Sequence, residues 1–111
     1  MPLPTAHFRV LIIAALAGAT GLAAFSTNAQ TPPARLGLCA SCHGEHGVAA
    51  IPTVPNLAAQ NLVSLRGALQ QNKTGARDVP AMRAAASMLS EAEADQVLQW
   101  YAQQAPKSSA P

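Results

Sequence analysis

All of the cysteine in this chain lies in one pentapeptide, Cys39-Ala40-Ser41-Cys42-His43. Two thiols three residues apart cannot tie distant parts of a fold together. A Cys39–Cys42 disulfide would close a very small loop and constrain little else. Yet the chain needs a staple. Its four aromatic residues are Phe8, Phe25, Trp100 and Tyr101, and the first two belong to a segment expected to be removed. The remainder has little bulky apolar volume. Domains this small usually depend on a disulfide, a metal or some other cross-link. Whatever the pentapeptide binds is therefore expected to form part of the core.

The removable segment is residues 1–29. MPLPTAHFR carries His7 and Arg9, Val10 to Ala24 is an uncharged apolar run, and FSTNAQ supplies small and polar residues. This is the three-part pattern of a secretory signal peptide. The run is shorter than the roughly 20 residues needed to cross a bilayer, which favours cleavage over retention as an anchor. Cleavage is expected after Ala29, with Ala24 as the second choice, and the mature chain is expected in the periplasm with no stable membrane span. Six of the seven basic residues and all five acidic ones lie beyond Ala29. So balanced a charge excludes a nucleic-acid footprint.

Export permits disulfides, but the pentapeptide offers other chemistry. A dithiol redox motif belongs beside a β-α-β pattern, and no strand alternation is visible. Tetrahedral zinc needs a fourth ligand and more comfortable spacing than adjacent Cys42 and His43. C-x-x-C-H is also the attachment motif of c-type haem, and this fits best. On a helix, Cys39, Cys42 and His43 occupy positions i, i+3 and i+4 and share one face. Two thiols can then form thioethers to one porphyrin while His43 lies under the iron as proximal ligand. A haem-free thiol or zinc protein is the competing reading.

Further motifs follow in order: CASCHG (39–44), PNLAAQ (55–60), LVSLRGALQQ (62–71), GAR (75–77), Met82, LSEAE (89–93) and WY (100–101). In type, order and spacing this series resembles the class I cytochromes c, in particular the short bacterial monohaem branch of c-553 and c-4 type. The resemblance runs from Cys39 to Tyr101. It implies an all-α fold of about three to five helices around one covalent haem c, consistent with the lack of strand periodicity. It also implies a single-electron carrier, not an enzyme, in a periplasmic or respiratory chain. Its redox partners would be an oxidase, reductase or dehydrogenase. The alternatives are a haem subunit of a larger complex, or a sensor or peroxidase-like protein with an open sixth site. The domain is expected over residues 30–105, with a disordered tail over 106–111.

The resemblance places the distal ligand at Met82, in a loop after Pro80, with Met88 as fallback. On one continuous helix the two methionines would sit roughly 120° from eclipsed, so only one could face an iron. It also implies that the backbone carbonyl of Pro55 accepts the second ring N–H of His43, with Pro52 as fallback. The chain departs from the family where Ala59 replaces a frequent glycine and where Ser64 and Asn72 replace larger or aromatic residues. Gly37 is expected to let the first and last helices approach closely.

Local signals outline the helices. Ser90 with Glu93 is a capping box, and Glu91 and Glu93 suit the start of a helix dipole. Ala94, Val97, Leu98 and Tyr101 form one apolar face, ended by Pro106. Leu62, Leu65 and Leu69 form a second stripe, closed by Gly75. His46 is expected to face solvent. Arg66, Lys73, Arg77 and Arg83 are expected to be solvated charges, with Arg77 near a haem propionate or the set forming a basic rim for an acidic partner.

Overall fold

The computed structural model describes residues 18, 21–23 and 30–108. Cleavage after Ala29 and most of the segment before it lie outside the described residues. Among the described residues there are four helices and no strand: α1 (Leu36–His43), α2 (Leu62–Thr74), α3 (Pro80–Ser87) and α4 (Glu91–Ala102). The described chain is all-α, and none of its helices is long and apolar enough to cross a membrane.

Two of the four helices are set by strong local signals. The Asn61 side chain accepts from the N–H groups of Val63 and Ser64, which starts α2. Gly75, in the left-handed conformation at φ 83°, ends it. At the start of α4 the Ser90 hydroxyl accepts from the Glu93 N–H at 3.1 Å, and a Glu93 carboxylate oxygen accepts from the Ser90 N–H at 2.9 Å. This reciprocal pair satisfies two donors that a helix start otherwise leaves open.

The other two helices have eight residues each and no side-chain cap. Helices this short are marginal alone and rely on packing. In α1 the residues Leu36, Cys39, Ala40 and His43 recur at helical spacing and face inward. In α3 the sequence expectation needs correcting. Met82 lies in the first turn of the helix and not in a loop, because Pro80 occupies the first helical position with its φ already suited to it. The end of α4 is also earlier than expected: the helix closes at Ala102, with Gln103 as its cap, before Pro106 is reached.

The core joins Leu36 of α1, Leu65 of α2 and Val97, Leu98, Trp100 and Tyr101 of α4, with Leu57, Leu62 and Leu69 packed against it. Helix α2 packs on both α3 and α4. Contact between α1 and α4 does not run through Gly37. That residue is exposed, and a Cβ there would meet nothing within 4 Å. What α1 adds to the core it shares with α4 is Leu36, one residue earlier and buried, with Cys39 and Ala40 packed alongside.

Candidate functional site

Helix α1 carries Cys39, Cys42 and His43 within an arc of roughly 100°. They differ in depth: His43 is 6% exposed, Cys39 is half-buried against the core, and Cys42 is exposed. Both cysteines are free thiols. Burial pushes the Cys39 thiol above its usual pKa, so it is held protonated.

The His43 ring is oriented by the chain that follows it. Its Nδ1 lies 2.9 Å from the carbonyl oxygen of Pro55, twelve residues on. A carbonyl only accepts, so Nδ1 carries the proton and donates, leaving the lone pair on Nε2. The ring meets Pro55, not Pro52. The loop between is folded back on itself. The Gly47 carbonyl accepts from the N–H groups of Leu57 and Ala58 at 2.8 and 3.0 Å. Asn56 Oδ1 accepts from the Ala49 N–H at 2.8 Å.

Two glycines make this loop possible. Gly44 ends α1 at φ 81°, ψ 153°, a region essentially reserved for glycine. Gly47 has φ 77°, and a Cβ there would lie 2.5 Å from the Ala58 nitrogen and 3.0 Å from the Tyr101 ring. Ala59 has φ 60° without being a glycine, at the position where the resembling family often has one.

The loop is anchored from across the fold by α4. Tyr101, fully buried, donates its hydroxyl to the Gly44 carbonyl at 2.9 Å. Trp100 donates its indole N–H to the Glu45 carbonyl at 2.6 Å. The Tyr101 carbonyl in turn accepts from the Ala59 N–H at 3.1 Å. Burial, with smaller contributions from Cys39 and Glu45, raises the Tyr101 pKa well above the ordinary phenol range, so the hydroxyl remains a donor. Trp100 and Tyr101 entered the sequence reading as a motif pair and as apolar bulk, not as hydrogen-bond donors. The available signal was that buried Tyr and Trp seek partners for their polar ends; the partners, 55 and 57 residues away, were not legible. His46 is exposed as expected, but it also stacks on Trp100, with ring centroids 6.0 Å apart, and bonds to Gln104 Oε1 at 3.1 Å.

The two methionines separate clearly. Met82 is half-buried, whereas Met88 is 59% exposed. Val79 just before α3, and Val48 and Ile51 in the loop between His43 and Pro55, are exposed apolar side chains. Asn72 on α2 is 5% exposed; its Nδ2 donates to the Ala68 carbonyl at 2.9 Å, but its buried Oδ1 has no partner among the described residues.

The basic rim is thinner than expected. Arg66 is committed to Asp95 through Nε at 2.6 Å and Nη2 at 2.5 Å. Arg77 Nε donates to Gln71 Oε1 at 2.8 Å. The Arg83 guanidinium lies over Gly75. Arg35, which the sequence reading passed over, joins α1 to the α3–α4 turn by donating to the Met88 carbonyl at 3.1 Å and lying 3.7 Å from Glu93.

Among the described residues, no three of His, Cys, Asp and Glu are arranged to hold a bare metal ion, as a tetrahedral zinc centre would require. What α1 presents on one face suits a different group: two thiols able to take a covalent bond and a buried imidazole with one nitrogen free; the half-buried Met82 lies apart in sequence, on α3. No family model and no curated protein sequence matches the chain.

Proposed function

We propose that this chain is an exported single-electron carrier of the class I cytochrome c kind. Cys39 and Cys42 would hold one haem c through thioethers, and His43 and Met82 would ligate its iron. The observation that carries the reading is the 2.9 Å bond from His43 Nδ1 to the Pro55 carbonyl on a ring that is 6% exposed. In the neutral ring, Nδ1 committed as donor leaves on Nε2 the lone pair that a metal would take. When bound, the haem iron supplies reversible exchange of one electron between its ferrous and ferric states.

The chain's own residues do the rest. Cys39 and Cys42 present two thiols from consecutive turns of α1, one against the core and one at the surface. Pro55 fixes the ring plane of His43 and raises the basicity of Nε2. The Met82 thioether is a soft, neutral donor, and such a partner for histidine favours the reduced state and a high potential. Met88 does not compete: its side chain faces solvent. On this reading the chain is a carrier that serves redox proteins of the periplasm.

The test is the absorption spectrum of protein exported from a host that matures c-type haem, before and after acid-acetone extraction. Haem resisting extraction, with a methionine–iron charge-transfer band in the oxidised state, is the expected result. Met82→Ala should abolish that band and Met88→Ala should leave it. Retained haem without the band would remove Met82 as ligand and favour an open sixth site. No haem would return the pentapeptide to thiol or metal chemistry.

A further inference from the structure

We infer that Gln30 is a modification site: exposed as the first residue of the mature chain, it cyclises to pyroglutamate. The inference rests on the export reading above for the release of its α-amine, and on the structure for the fate of its side chain. Gln30 is held at the carboxyl end of α4. Its Nε2 donates to Gln103 Oε1, and Gln104 Nε2 donates to its Oε1 at 3.4 Å. The adjoining cleft, of about 350 Å³, is lined by Gln30, Thr31, Pro33, Gln96, Gln99, Trp100 and Gln103. None of these side chains is charged. A protonated α-amine at this place finds no carboxylate in the cleft lining, whereas a neutral lactam matches a surface made of amides and one indole.

The chemistry needs no co-reactant. The α-amine nitrogen attacks Cδ of its own side-chain amide. The new C–N bond closes a five-membered ring, the bond from Cδ to Nε2 breaks, a proton passes from the attacking to the departing nitrogen, and ammonia leaves. N-terminal amines titrate near 7.7–8.0, so a useful fraction is unprotonated and nucleophilic at neutral pH. Negative charge develops on Oε1 during the attack, and Gln104 Nε2 is a donor to that atom. After closure the lactam oxygen can still accept from Gln104, while Gln103 loses its donor. The product carries no terminal charge and no free amine for an aminopeptidase.

The experiment is intact-mass measurement and stepwise N-terminal degradation of the full-length chain after export and purification. The expected product begins at residue 30, is lighter than the unmodified chain by one ammonia, resists stepwise degradation, and becomes degradable after treatment with pyroglutamyl aminopeptidase. Gln30→Ala should be processed at the same place and keep a free amine. A wild-type product with a free Gln30 amine, or one that begins at another residue, overturns the inference. Haem adds its own separate mass increment, so failure of the haem reading and failure of the cyclisation are read independently from one spectrum.

Discussion

His43 and Met82, the two residues proposed to face one iron, are held in opposite ways. His43 closes a helix whose last turn is followed by a loop tied down at successive residues. Tyr101 binds the Gly44 carbonyl, Trp100 binds the Glu45 carbonyl, and the Gly47 carbonyl binds Leu57 and Ala58. Pro55 is thereby brought to the ring. Met82 rides on an eight-residue helix with no side-chain cap, beside an exposed valine, and α2 beneath it carries a buried acceptor with no partner among the described residues. The proximal side is specified by directional bonds, which fix a side chain to a few tenths of an ångström. The distal side is specified by helix packing, which tolerates more movement. A carrier built this way would keep its histidine through perturbations that displace its methionine.

The most damaging way to break that contrast is to remove the anchor. Tyr101→Ala empties a fully buried aromatic site and should cost about 3–5 kcal/mol, a large part of the ~5–15 kcal/mol typical of a domain. Urea unfolding should show little folded protein. Tyr101→Phe keeps the volume and removes only the bond to Gly44, so it should cost about 1–2 kcal/mol. In this variant, nitrogen chemical shifts of His43 should report a mixture of tautomers. If the wild-type tautomer persists, α4 does not position the ring.

On the other side, Asn72→Leu should stabilise the protein by about 1 kcal/mol. It removes an unsatisfied buried acceptor in favour of an apolar group of similar size. A shifted urea midpoint with unchanged slope is the readout, and a loss would mean that Oδ1 is satisfied in solution. Ala59→Gly tests the strain on the proximal side. An L-residue in the left-handed region costs about 1–2 kcal/mol, and the added freedom of glycine in the unfolded chain returns part of this. The net gain expected is about 0.5–1 kcal/mol, again read as a urea midpoint.

The smallest effect expected is that of acid. Glu93 is held below its ordinary pKa first by the Ser90 N–H and further by the Ser90 hydroxyl and Arg35. Asp95 is held below its own by Arg66 and then Gln99. A lowered folded-state pKa means that the stabilisation is present above the unfolded value and is lost as pH falls through the folded one. The thermal midpoint should therefore hold steady down to about pH 5 and fall below about pH 4. Glu93→Gln combined with Asp95→Asn should flatten that fall. Both groups sit in the first half of α4, remote in sequence from its aromatic end, so acid should loosen the contacts to Arg35 and Arg66.

Much of the helical scaffold was legible from local chemistry. The Ser90–Glu93 capping box, the Gly75 terminator and the leucine stripe of α2 depend on residues within a few positions of one another. The same holds for the spacing of Cys39, Cys42 and His43. Errors arose where a local sign was read too literally. Pro80 was taken to lead a loop when proline also suits the first turn of a helix. Gly37 was taken as a contact point because it is small, although the helix turns it to solvent. Arg66 is exposed as expected, but its partner Asp95, 29 residues away, was not foreseen.

By itself the sequence determined that two thiols and an imidazole would share one arc of a short helix, since helical geometry alone sets positions i, i+3 and i+4. It also determined where α2 ends and where α4 begins, since those caps are bonds between near neighbours. Only the tertiary structure decided which nitrogen of His43 is free, because that depends on a carbonyl brought back by a twelve-residue loop. Only it decided that Trp100 and Tyr101 hold that loop in place, and that Met82 is half-buried while Met88 is exposed. Those outcomes depend on how separate elements pack, and no short-range rule of the chain encodes a bond that closes across more than fifty residues.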